Sequence, residues 1–429
     1  MNFRLAILAL LGLFADADAR SLATRTTRTS ADRVRAVAAP AIPTSTLVSD
    51  FKKNNVSSRW AEGHPKVWGA EKVKFEGPFA VDVSPDEKFI ALAVGTDLTI
   101  RDMSTKKLLS SVSTDFQGNA DRVTILSGQN GGYDLFISSY NYSTHDAITG
   151  LHLSPEGAII GGQTQYLGGF SSFDGRRGPF SRDGQRFLVQ TGTSPRYELT
   201  IIYDIDKPNS NVTLVGHTDS IMSSAFSPDG TYVSTAAWDG YAKVWNASTE
   251  ELLHTFGPTG GQNWLTNFSP DGKYILMTNA GKEPAVNIWP AVNMSSEPMI
   301  YKDFDGWIRT ASWTSDSKLL AVGSYGLIQV ISVQDQKVIQ RWESEDRYGY
   351  ESWDLFWIES ESGLKLAYRV TAGLEVYDFE ANLKYRWGPD DYAQYDGGGS
   401  GDGTYVIKSK GWIGGGDADG SVRFYEFPN

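Results

Sequence analysis

The chain has 429 residues, 40% hydrophobic, 12% aromatic and 21% charged, with 44 Gly, 17 Pro and no Cys. That composition excludes collagen-like and disordered chains, and the absence of cysteine excludes disulfide frameworks, thiolate nucleophiles and cysteine metal centres. The net charge is −12, and after the first 45 residues, with six Arg and three Asp, the remainder holds 33 basic and 48 acidic side chains. Such a surface repels phosphate backbones, so no nucleic-acid partner is expected.

At the N-terminus Arg4 precedes an apolar run from Leu5 to Phe14, followed by Ala15-Asp16-Ala17-Asp18-Ala19. Ten apolar residues are too few to span a bilayer and suit a secretory signal peptide over residues 1–19. Residues 20–46, rich in Arg, Ser, Thr and Ala with Pro40 and Pro43, read as a pro-segment or flexible linker. A single domain is expected over residues 47–429. No other apolar stretch approaches the length of a membrane span. The expectation is a secreted, extracellular protein, with the secretory lumen or a vacuole as the alternative; the Arg-rich, acid-poor stretch also fits a mitochondrial transit peptide, against which stand Asp16 and Asp18.

Six N-x-S/T sequons occur where chance would supply about three. Glycosylation is expected at Asn55, Asn141, Asn211, Asn246 and Asn293. Asn267 is set aside because its sequon falls inside a predicted strand and is followed by Pro270.

From about residue 77 the chain repeats a pattern of apolar strand, Ser-Pro-Asp-Gly type turn, second strand, Gly-containing turn and third strand. The clearest copies begin at Val81, Ala225 and Asn267, and weaker ones at Pro179, Ser312 and Phe356. Strand residues alternate apolar and polar, and Pro, Asp and Gly preset the turn dihedrals. The turns mark Pro85, Gly128, Arg182, Pro228, Pro270, Ser315, Glu359 and Lys408, spaced by 43, 54, 46, 42, 45, 44 and 49 residues. A period of roughly 40 to 45 residues with four short strands per unit predicts the blades of a β-propeller, eight by turn count and seven as the alternative.

The unit around Pro228 resembles the WD40 repeat family. Gly216-His217 precedes its first strand, Trp238-Asp239-Gly240 forms the turn between second and third strands, and Trp245 closes the third. The resemblance implies that His217, Thr235, Asp239 and Trp245 form the family's structural hydrogen-bond tetrad. The other units lack the Gly-His pair, and only Trp289 repeats the closing tryptophan. The last unit ends without a fourth strand, and propellers resembling this one complete it with an N-terminal strand, for which Lys72–Glu76 is the natural donor.

No nucleophile elbow, P-loop, H-E-x-x-H or dinucleotide fingerprint is present. The glycine-rich stretch 398–403 lacks the phosphate-loop lysine, and Asp417-Ala418-Asp419-Gly420 lacks the further ligands of a calcium loop. No catalytic residue, metal site or cofactor is assigned, and His145 and His152 stay open as isolated candidates.

The informative excess is aromatic, with 13 Trp, 20 Tyr and 20 Phe. Most of these rings suit the space between blades. In the geometry implied by the resemblance, the starts of the first strands and the turns between second and third strands share one face, the top. Counting back along the first strands places Phe79, Arg176, Met222, Trp264, Arg309 and Trp353 there, with Trp238 beside them. Aromatic, Met and Arg side chains are those enriched at interface hot spots. An equal alternative is that Trp264 and Trp353 lean sideways into blade contacts. The leading expectation is a binding or scaffold module with a protein partner; a propeller enzyme of lactonase, lyase or cyclase type and a glycan-binding propeller are the alternatives.

Overall fold

A computed structural model describes residues 52–55, 79–94, 96–113, 119–140, 147–170, 179–192, 197–281, 283–304, 306–325, 327–343, 353–360, 363–370, 373–379, 383–387, 404–407, 411–416 and 422–426. Their regular structure is strand, interrupted by two short 3-10 turns at Gln129–Gly131 and Ala291–Asn293. The strands form eight sheets of consecutive strands hydrogen-bonded antiparallel in chain order, one of which also takes up an N-terminal strand in parallel. The fold is that of a WD40-like β-propeller, and the eight sheets match the turn count.

The first three sheets cover 79–113, 119–167 and 186–215. In the third, isolated bridges from Gly169 and Phe180 to Gln190 and Phe187 stand in for the innermost strand. The fourth sheet comprises Ile221–Phe226, Tyr232–Ala237, Ala242–Asn246 and Leu252–Phe256; the fifth Gln262–Phe268, Tyr274–Ala280, Ala285–Pro290 and Met299–Tyr301. The sixth holds Ile308–Trp313, Leu319–Ser324, Leu327–Ser332 and Lys337–Glu343; the seventh Trp353–Ser360, Gly363–Val370, Gly373–Asp378 and Leu383–Trp387. The eighth has three strands among the described residues, Thr404–Ile407, Trp412–Gly416 and Val422–Glu426.

The turn between first and second strands is a repeated chemical device. In five sheets a Ser or Thr hydroxyl donates to an Asp carboxylate two residues on: Ser84 to Asp86, Ser181 to Asp183, Ser227 to Asp229, Ser269 to Asp271 and Thr314 to Asp316, at 2.6 to 2.9 Å. The same hydroxyl oxygen accepts the backbone N–H five residues on, at 2.9 to 3.0 Å. The side chains thus supply the hydrogen bonds that a tight turn denies its backbone. Tyr133 and Lys88 also bind Asp86, and with Ser84 they outweigh the burial that alone would raise its carboxyl, holding it at about 2.

The second to sixth sheets bury both faces. Six apolar clusters are each shared by successive sheets from the first to the seventh; Leu98 with Val123, Phe136 with Phe187, Leu188 with Trp245, Val244 with Met277, Leu276 with Leu320, and Ile328 with Leu366 are examples. No four-stranded unit could bury this much alone, which is why neighbouring units must stack. The second strand of one sheet lies beside the first strand of the next, as Tyr232–Ala237 beside Gln262–Phe268. The same relation sets Trp412–Gly416 of the eighth sheet beside Phe79–Val83 of the first.

Lys72–Glu76, expected to complete the last sheet, lies outside the described residues. Another N-terminal strand, Lys52–Asn55, runs parallel to Leu383–Trp387 and makes the seventh sheet five-stranded. The physical reason is available in the fold: an outer strand leaves a row of backbone groups unpaired, and any extended segment within reach can use them.

Candidate interaction face

The fourth sheet positions its polar core through the Gly-His pair. Gly216 lies against the Trp245 ring, where an added Cβ would come within 3.0 Å of Cη2, so glycine is what lets the segment pack closely enough to insert His217. His217 Nδ1 is 2.7 Å from Asp239, its Nε2 is 2.8 Å from Thr235 Oγ1, and the Trp245 indole N–H donates to the same oxygen at 2.9 Å. The order of donors and acceptors assigns the proton to Nδ1: indole to hydroxyl, hydroxyl to Nε2, Nδ1–H to carboxylate. Burial alone would raise the Asp239 carboxyl; His217 and the backbone N–H groups of Thr218 and Tyr241 outweigh it and hold the group below the usual range. This network fixes the turn that carries Trp238.

The starts of the first strands, at the same end as that turn, carry a second device. In the fourth, fifth and sixth sheets the register between first and second strands shifts between Ile221 and Ser223, between Asn263 and Leu265, and between Ile308 and Thr310. The residues skipped are Met222, Trp264 and Arg309. A bulge bends the strand and re-aims the extra side chain, and here it does so at equivalent positions of three consecutive sheets.

Around two of these bulges the aromatic side chains form a ladder. Trp238 meets Trp264 edge to face at 5.4 Å, Trp264 stacks on Trp307 at 5.4 Å and 28°, and Trp307 lies 6.0 Å from Tyr325. The Arg309 guanidinium sits 4.1 Å from the Trp264 ring centre and 4.3 Å from that of Trp307, a double cation–π contact. Trp307 is 40% exposed, whereas Trp264 is buried as the floor. Two backbone features hold the far end. Tyr325 occupies the left-handed region at φ 39°, and its ring fills the space where a Cβ on residue 306 would lie, so only glycine fits there.

The structure therefore brings together Trp238, Trp264 and Arg309 of the residues singled out from sequence, with Met222 half-buried in the same sheet as Trp238. Trp264 follows the sideways alternative: its ring packs between neighbours instead of facing outward. Phe79 and Trp353 begin first strands of the first and seventh sheets, and Arg176 lies outside the described residues. Trp307 and Tyr325 were missed. Trp307 sits two residues before Arg309, one position ahead of the strand, and Tyr325 stands in the turn between second and third strands; the Tyr325-Gly326 pair at the place of Trp238-Asp239-Gly240 was the available signal.

Asn211, Asn246 and Asn293 occupy the other end of the sheets. Asn211, exposed, opens an outer strand, and exposed Asn293 closes the 3-10 turn after Ala285–Pro290. Asn246 accepts the backbone N–H groups of Ser248 and Thr249 in the third-to-fourth turn. Asn55 ends the strand Lys52–Asn55, and Asn141 lies outside the described residues. Asn267 is in a strand and accepts the Trp313 indole N–H at 2.8 Å.

Among the described residues no group of three or more His, Asp or Glu side chains could hold a metal ion. His152 pairs with Asp134 at 2.6 Å across neighbouring strands, with its ring half exposed. His145 lies outside the described residues. No helix among the described residues is long and apolar enough to cross a membrane.

Residues 209–246 match the WD40 family, "WD domain, G-beta repeat". An uncharacterized WD repeat-containing protein of Synechocystis is 37% identical over 71 residues, 16% of this chain and 20% of its own length. Serine-threonine kinase receptor-associated protein of Gallus gallus is 27% identical over 131 residues, 30% of this chain and 33% of its own length, and human Coronin-7 is 29% identical over 117 residues, 26% of this chain and 13% of its own length. The chain thus spans a third or less of the length of these curated relatives. With one full motif in the fourth sheet, seven sheets of divergent sequence around it, and these matches, the chain is a WD40-like repeat protein.

Proposed function

We propose that the chain is a secreted, glycosylated protein-interaction module that recognises its partner through the ladder face of the fourth to sixth sheets. The observation that carries this reading is the run of bulges that places Met222, Trp264 and Arg309 at equivalent positions, with Trp307 left 40% exposed beside a strained Tyr325. Strain and exposed aromatic surface are costs to folding, and such costs concentrate where a surface is used. One relative is by its name a receptor-associated protein, which accords with an interaction role. The mechanism is rigid display: the sheets fix the rings before the partner arrives, so little ordering entropy opposes binding.

The test is quantitative capture from the secreted fraction with the parent chain, Trp307→Ala, Arg309→Ala and the opposite-face control Val292→Ser. Val292 is 92% exposed beside Asn293, so the control changes surface without touching the ladder. The ladder substitutions should weaken a specific partner by about thirtyfold, corresponding to a hot spot of about 2 kcal/mol. Removing the Asn211, Asn246 and Asn293 sequons should leave capture intact. A partner lost with Val292→Ser and retained by Trp307→Ala would overturn the face assignment. Secretion itself is checked by N-terminal sequencing, with cleavage expected after Ala17 or Ala19.

A further inference from the structure

We propose that the ladder takes a carboxylate set beside an apolar side chain: an acidic residue of the partner protein pairs with Arg309 while its neighbour lies on Trp307. The inference rests on reading the ladder as the interaction face, and it names the chemistry that face accepts.

The guanidinium of Arg309 is 4.1 Å from the Trp264 ring centre and 4.3 Å from that of Trp307, and the two ring centres are themselves only 5.4 Å apart. The three points form a compact triangle, so Arg309 is not sandwiched. Both indoles lie to one side of it, and its other side is turned away from these rings. Ring contacts orient a guanidinium without cancelling its charge. Held in this way, the planar fork keeps the geometry that a carboxylate meets with two parallel hydrogen bonds, and little further side-chain freedom is lost when it does so.

The polar atoms of the ladder point to the same sign of ligand. An indole nitrogen and a guanidinium can only donate hydrogen bonds. Trp238, Trp264, Trp307 and Arg309 therefore offer no side-chain acceptor, and the Tyr325 hydroxyl is the exception among the ladder's side chains. The Trp238 indole N–H is moreover buried without a hydrogen-bond partner among the described residues. Asp239, next to Trp238 in the chain, has its carboxylate engaged by His217 inside the sheet. Such a surface is short of oxygen acceptors, and a carboxylate brings two.

A cationic side chain is the natural rival, because an exposed indole attracts it. Here Arg309 already occupies the ring pair, so an incoming ammonium would meet a like charge at the π face it sought.

The net charge of −12 repels a strongly acidic partner at a distance. At physiological ionic strength such fields fade over about 8 Å, so the contact itself is governed by the charges at the ladder, of which Arg309 is the one held by the rings. A carboxylate in an otherwise uncharged, apolar setting satisfies both conditions. Trp307, 40% exposed, is the apolar half of that match.

The test titrates the full chain, followed by tryptophan fluorescence, with an end-blocked synthetic peptide of Gly-Glu-Leu repeats and its counterparts carrying Gln or Lys in place of Glu. The Glu peptide should give a saturable change, and the Gln peptide should bind about tenfold more weakly, as expected for the loss of a charged hydrogen-bond pair. The Lys peptide should give no saturable change. That ranking is read on the unsubstituted chain and does not depend on any variant folding. Arg309→Gln should erase the preference for Glu over Gln, whereas Arg309→Lys, which keeps the charge and loses the fork, should retain a reduced one. Trp307→Ala should weaken both peptides. No saturable change up to millimolar Glu peptide, equal affinity for the Glu and Gln peptides, tighter binding of the Lys peptide, a Glu preference that survives Arg309→Gln, or affinities unchanged by Trp307→Ala overturns the proposal. If the preference is absent while partner capture still depends on Trp307, only the carboxylate is wrong; if capture also ignores Trp307 and Arg309, the face reading falls with it.

Discussion

The fourth sheet and the boundary between the sixth and seventh sheets solve one problem in two ways. In the fourth, the buried Trp245 N–H reaches Asp239 through Thr235 and His217, all within one blade unit. At the boundary, the buried Trp342 N–H of the sixth sheet donates to Tyr368 of the seventh at 2.9 Å, and Tyr368 donates to the fully buried Glu375 at 2.7 Å. A second buried pair, Lys365 with Asp378, lies in the same sheet. Both relays link a buried indole N–H to a carboxylate through a hydroxyl, the first with the His217 imidazole as a further link. The family motif names only the first, because the motif records particular residues, whereas the requirement is that a buried tryptophan N–H find an acceptor. The difference is in what each relay joins: strands within a unit in one case, neighbouring units in the other.

The sharpest way to break this comparison is to remove the tryptophans. Trp245→Ala and Trp342→Ala should each lower stability by about 3 to 5 kcal/mol, read as a drop in urea midpoint. A midpoint unchanged in Trp342→Ala would mean that the boundary relay contributes nothing, and the equivalence would fail.

Deleting only the relaying hydroxyl isolates the hydrogen bonds from the packing. Thr235→Val and Tyr368→Phe should each cost about 1 to 3 kcal/mol by leaving a buried N–H without its acceptor. Because the two relays share no residue, their effects should add; Thr235→Val combined with Trp245→Phe should cost less than the two separately. Coupling between Thr235→Val and Tyr368→Phe would show that the relays act as one unit.

The smallest effect per residue concerns the turns that both regions share. Asp86 and Asp316 are held at about 2, Asp316 chiefly by Lys318, and Asp183, Asp229 and Asp271 are lowered as well. A carboxyl whose folded value is depressed stabilises the fold fully above its unfolded value of about 3.9, and that contribution is lost as pH falls towards the folded value. The urea midpoint should therefore fall progressively between about pH 4 and pH 2. Asp86→Asn should flatten that dependence more than Asp316→Asn, whose half-exposed site is screened by solvent.

A milder substitution probes the ladder. Gly306→Ala would place a methyl group where the Tyr325 ring lies, so the ring must move. The expected result is an altered near-ultraviolet circular dichroism signal and weaker partner capture, with a melting temperature close to that of the parent. A collapse of the melting temperature would assign Gly306 to the core of the fold.

The sequence by itself determined the repeat period, the turn chemistry and the tetrad, because these depend on residues close together in the chain. Ser227 and Asp229 bind each other whatever the neighbouring sheet does, and His217 to Trp245 spans a single unit. It also reached Trp264 and Arg309 by counting along first strands, without the reason that selects them. Only the tertiary structure supplied that reason, since a bulge is a relation between two strands and has no residue signature of its own. Only the tertiary structure, likewise, joined Trp342 to Tyr368, put Trp307 and Tyr325 on one ladder, and sent Lys52–Asn55 to the seventh sheet. Those contacts cross from one unit to another, where the partner is chosen by which edge or ring is left unsatisfied in space and not by its distance along the chain.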